Sequence, residues 1–130
     1  MNGFSKRKIF ISLPMSGRKE EEIREDILTA EEWYLDATGM TRDEVWFFNN
    51  LDGGKTAVDF ERDLAEEHDA NWIAPKKEKM GLWYLGIAMN NLAYCDEAIF
   101  WGDWKNARGC RMEHEACLEY GIKTIPIYKI

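Results

Sequence analysis

Apolar positions along this chain fall into two alternating patterns. Short, dense apolar runs at Lys8–Leu13 (KIFISL), Glu44–Phe48 (EVWFF), Glu97–Trp101 (EAIFW) and Thr124–Tyr128 read as strands. The first and third are apolar at successive positions, as strands buried on both faces are. Between them lie segments with apolar residues three and four apart. Over Lys19–Ala37 these are Ile23, Ile27, Ala30 and Tyr34, one stripe of an amphipathic helix. Glu20, Glu21 and Glu22 suit its first turn, Gly39 suits its end, and Ser16 is a candidate N-cap. Leu82–Ala93 and Gly109–Tyr120 read as two more helices, and Thr56–His68 as a further, weaker one. Strand and helix alternate without tight hairpin signals. That predicts an α/β fold, one domain over residues 1–130, with a mostly parallel sheet of four or five strands.

Composition changes this picture little. A chain of 130 residues at 45% hydrophobic and 32% charged content is an ordinary globular mixture. No apolar run is long enough to span a membrane, and the basic start leads into too few apolar residues for a signal peptide, so a cytoplasmic location is expected. The net charge of −7 speaks against binding a nucleic-acid polymer, whereas a mononucleotide needs only one or two local cations. The cysteines, Cys95, Cys110 and Cys117, are odd in number and read as free thiols. Cys110-x3-His114-x2-Cys117 lacks the paired spacing of a zinc site and reads as small helix residues facing a core, so no metal and no cofactor are expected. Lys76, Lys77 and Lys79 in the polar connector Asn71–Gly81 read as solvated surface.

Ligands of open α/β sheets bind beyond the carboxyl ends of the strands. That rule selects the loop Pro14, Met15, Ser16, Gly17, Arg18, the loop Asn49–Gly54, Asp103 after the third strand, and the helix start at Arg108, Gly109, Cys110. It sets Asp96 at the opposite edge. Glu113 and Glu115 both lie in the early turns of the last helix, and the pattern does not choose between them. No Ser-His-acid set and no glycine-rich phosphate fingerprint is present. What remains is a carboxylate near a helix start, flanked by Arg108 and Arg111, facing a Ser-Gly-Arg loop suited to a phosphate or a sugar hydroxyl. The helix dipole is expected to keep that carboxylate ionised, and an ionised carboxylate can attack an anomeric carbon.

Three segments together, KIFISLPMSGR, CDEAIFWGDW and ARGCRMEHEACLEYGIKTIPI, resemble the nucleoside 2-deoxyribosyltransferase-like superfamily, and within it the small phage- and bacteria-associated DUF4406 type. The resemblance covers most of the chain and is weakest over Asn50–Lys79. It implies a Rossmann-like three-layer sandwich, a homodimer and a nucleoside or nucleotide ligand. In such enzymes the nucleophilic glutamate lies eight residues before the glycine that precedes the last strand. That glycine is Gly121 here, so the implied nucleophile is Glu113. Sugar or 5′-phosphate binding is implied for Ser12–Arg18 and Ala107–Cys110. Two departures stand out. Ala107 replaces a common Asp or Ser, and Gly86–Asn91 offers no acid to protonate the base, a role that Asp103 is expected to take.

Overall fold

The computed structural model describes residues 6–51 and 76–128. Four strands, β1 (Arg7–Ser12), β2 (Val45–Asn49), β3 (Glu97–Trp101) and β4 (Lys123–Ile127), form one sheet in the order β2-β1-β3-β4, and every pair is parallel. The described helices are α1 (Glu20–Thr38), α2 (Met80–Leu92) and α3 (Arg108–Tyr120). The candidate helix Thr56–His68 lies outside the described residues.

Side-chain alternation builds the three layers. Ile9, Ile11, Ile99 and Trp101 point to one face and pack with Ile23, Ile27, Ala30 and Tyr34 of α1. Phe10, Ala98 and Phe100 point to the other and pack with Ala88 and Leu92 of α2 and Cys110 and Cys117 of α3. This is the α/β sandwich with helices on both faces that the run of apolar strands predicts. β1 and β3 are the central strands, and the connections leaving them run over opposite faces. The crevice between their carboxyl ends is therefore the topological switch point, where such sheets bind ligands.

Element ends shift by a residue or two from the sequence pattern. Glu44 belongs to a turn before β2, where Thr41 and Glu44 cap each other. The connector ending at Gly81 gives way to α2 already at Met80. Ser16 does not cap α1: the N-cap is Lys19, without a side-chain hydrogen bond. The reason is local. Arg18 N–H donates to the Met15 carbonyl at 3.1 Å and Gly17 adopts φ +74°, so residues 15–18 close a tight turn before the helix begins. No described helix is long and apolar enough to cross a membrane.

Candidate functional site

Beyond the carboxyl ends of the central strands lies a cavity of about 860 Å³, within the range typical of small-molecule sites. Three parts of the chain meet there. The loop after β1 contributes Pro14, Met15 and Ser16; the loop after β2 contributes Asn50; the start of α3 contributes Arg108, Gly109, Cys110 and Glu113. Glu78 and Lys79, just ahead of α2, complete the charged lining among the described residues.

Glu113 is the chemical centre of this arrangement. It is only 3% exposed. Ser12 Oγ donates to its Oε1 at 2.6 Å, and Asn50 Nδ2 donates to its Oε2 at 3.2 Å. The sequence dictates both contacts. Ser12 follows Phe10 by two residues, so it points to the α3 face of the sheet. On α3, Cys110, Glu113 and Cys117 recur at spacings of three and four and form the buried stripe. Glu115 lies about 200° round the helix from Glu113 and is exposed. In the structure the two glutamates thus separate, one into the buried stripe and one to the exposed face.

Burial pushes the Glu113 carboxyl above its ordinary value, opposed by the hydrogen bonds from Ser12 and then Asn50. This corrects the expectation that the helix dipole dominates. Glu113 is the sixth residue of α3, and the dipole's influence fades beyond the first turn. A carboxyl raised in the folded state favours folding most below its unfolded value of about 4.3, and that contribution is lost as pH rises through the folded value. Glu113→Gln removes this dependence. The melting temperature of the variant relative to wild type is expected to climb from roughly pH 4 to pH 8. Thermal scans across that range check it, and a constant difference contradicts it.

Other candidates have different surroundings. The Arg18 guanidinium donates to the Pro14 carbonyl at 2.8 Å and pairs with Asp26 at 2.6 Å, which ties the first loop back onto α1. Asn49 is buried within the sheet layer, and it is the next residue, Asn50, that reaches Glu113. Asp103 is exposed and accepts a hydrogen bond from Asn106 at 2.7 Å; it is not among the described residues that line the cavity, and neither are Gly17 and Arg18. Arg111 donates to the Lys105 carbonyl, whereas a Cβ on Gly81 would stand 3.5 Å from Arg108 Nη2, which puts that guanidinium beside the start of α2. His114 packs edge-on to Phe100, with ring centres 4.9 Å apart, and lies 4.5 Å from the Trp104 ring. Burial pushes the Cys110 and Cys117 thiols up to about 11 and Cys95 to about 12. Cys110 therefore lines the cavity as a neutral thiol and not as a nucleophile. Among the described residues no group of three metal-ligating side chains converges.

Sequence reasoning placed Asn50 in the ligand-edge loop without singling it out, read Lys79 as solvated surface and missed Glu78 as a part of the cavity. A signal for Asn50 is its place directly after a parallel strand that pairs with β1, at the ligand-binding edge.

No family model matches this chain, no curated protein does, and no solved structure does. The superfamily resemblance rests on the three sequence segments alone.

Proposed function

We propose that the protein cleaves the N-glycosidic bond of a 2′-deoxynucleoside or its 5′-monophosphate, with Glu113 as nucleophile. The observation that carries this reading is the buried Glu113 carboxylate, gripped by Ser12 and Asn50 at the cavity beyond the ends of the central strands.

The two donors fix the carboxylate and favour its charged form, opposing the burial that raises the carboxyl. Glu113 attacks C1′ from the face opposite the base. The C1′–N bond breaks, its electron pair passes to the base, and a Glu113–C1′ ester forms. The departing base takes a proton. Glu78 is the one other carboxyl among the described lining residues and is better placed for this than Asp103. Water, or a second base, then attacks C1′ and gives up its proton to the carboxylate that protonated the first base; the Glu113–C1′ bond breaks, which releases the sugar and restores the Glu113 carboxylate. Water gives hydrolysis and a second base gives transfer. Arg108 and Lys79 supply positive charge for a 5′-phosphate where one is present.

Incubation with the common 2′-deoxynucleosides and their 5′-monophosphates, with and without a second free base, tests this. Release or exchange of base supports the reading. Intact substrates throughout, combined with thermal stabilisation by a nucleotide, favour a non-catalytic nucleotide-binding module of the same fold. The exposed, turned-away Asp103 is the observation that speaks for this second reading.

A further inference from the structure

Glu113 has two unlike partners. Ser12 is 0% exposed and sits behind the carboxylate, on the sheet. Asn50 is half-buried and lines the same cavity as Glu113. An ionised carboxylate only accepts hydrogen bonds, so the amide nitrogen of Asn50 is the atom that must face it. One N–H of Asn50 is used in that contact. Its second N–H and its carbonyl oxygen have no other partner among the described residues.

Stereochemistry then says what Asn50 meets. In a nucleoside the base projects from one face of the sugar ring. Displacement with inversion brings the nucleophile to the other face. That face also carries the 3′-hydroxyl, and in a ribonucleoside the 2′-hydroxyl as well. The attacking oxygen must come within roughly 3–3.5 Å of C1′. Asn50 Nδ2 is 3.2 Å from Oε2, and both residues line the cavity. A group so close to the nucleophile, lining the cavity and with donor and acceptor capacity unused among the described residues, lies beside the sugar face under attack and not beside the base.

From this geometry we infer that Asn50 is a substrate-binding residue that hydrogen-bonds the 3′-hydroxyl on the face attacked by Glu113, so that one amide holds nucleophile and sugar in register. This rests on the glycosidic reading of the site. It explains how the two donors divide their work. Ser12 holds the carboxylate to the scaffold, and Asn50 holds it to the substrate. It also makes Asn50, the residue directly after β2, a source of sugar specificity.

The experiment is a two-by-two comparison. kcat/KM is measured for wild type and Asn50→Ala with a 2′-deoxynucleoside and with the matching 2′,3′-dideoxynucleoside. Wild type is expected to prefer the hydroxyl-bearing substrate by about tenfold or more, the worth of one good hydrogen bond. In Asn50→Ala that preference is expected to fall to about onefold, because the partner of the hydroxyl is gone. A role confined to holding Glu113 would lower both values equally and keep the ratio, and that result overturns the inference. Where the variant is too slow to assay, the same ratio is read as dissociation constants by calorimetry, with Asn50→Ser as a second variant. A wild type that neither cleaves nor binds either nucleoside overturns the glycosidic reading itself, and this inference with it. A wild type that cleaves with a tenfold preference unchanged in Asn50→Ala overturns only the inference.

Discussion

Glu113→Gln is expected to lower the rate of base release by about 10⁴-fold or more, while Glu115→Gln leaves it within about twofold. The amide has nearly the shape of the carboxylate but no nucleophilic charge, so the ester to C1′ cannot form. A loss of 10⁴ corresponds to about 5.5 kcal/mol of barrier, larger than any positioning effect assigned to Ser12 or Asn50. Glu115 is the informative control. It carries the same side chain two residues further along α3, on the exposed face. A variant that fails to fold would mimic lost activity, but Glu113→Gln relieves a buried charge and is expected to fold at least as well as wild type at neutral pH. Single-turnover assays of the two variants side by side decide the matter. Equal losses would assign the effect to surface charge and not to the buried carboxylate.

Phe100→Ala is expected to destabilise the fold by about 3–5 kcal/mol. Phe100 is wholly buried in β3, a central strand. Its ring centre lies 5.2 Å from that of Trp104 and 4.9 Å from that of His114, and it shares a cluster with Phe10, Leu92, Cys110 and Cys117. Truncation removes contacts to strand, turn and α3 together, and the rigid sheet backbone limits how far the site can close over the void. Against a total stability of about 5–15 kcal/mol this is a large fraction. Chemical denaturation is the check: the midpoint is expected to drop with the slope unchanged. A cost under about 1 kcal/mol would mean that α3 is not packed tightly on the sheet. Since Cys110 and Glu113 ride on the same helix, the same substitution is expected to loosen the site.

Most of the architecture was legible in the sequence because it follows from local rules. KIFIS and EAIFW are apolar at successive positions, which only a strand covered on both faces tolerates, and they became the two central strands. The stripe Ile23, Ile27, Ala30, Tyr34 gave α1 and its buried face. The edge of the sheet that holds the cavity followed from parallel topology. What local pattern did not carry was the pairing of distant polar groups. Ser12 reads from sequence as a substrate-binding loop residue, yet it is the buried anchor of a carboxylate 101 residues away. Arg18 reads as a phosphate ligand because it ends a Ser-Gly-Arg loop. The turn at Gly17 instead brings it over the first turns of α1, where Asp26 claims it. Asp103 reads as a site residue from its position after β3, but its carboxylate serves the turn it belongs to. Asn50 was overlooked in favour of Asn49, since one residue's difference in register decides which side chain faces α3.

The central claim is that a covalent bond forms between Glu113 and C1′. It is tested most directly by mass spectrometry of wild-type protein mixed with a 2′-deoxynucleoside or its 5′-monophosphate that carries a 2′-fluorine on the face opposite Glu113. The electron-withdrawing fluorine disfavours the cationic transition state and slows release of the sugar from the enzyme. The account predicts free base together with a sugar-sized mass addition confined to the peptide that contains Glu113, and absent from Glu113→Gln. Base release with no adduct on that peptide, or an adduct on any other residue, would contradict it.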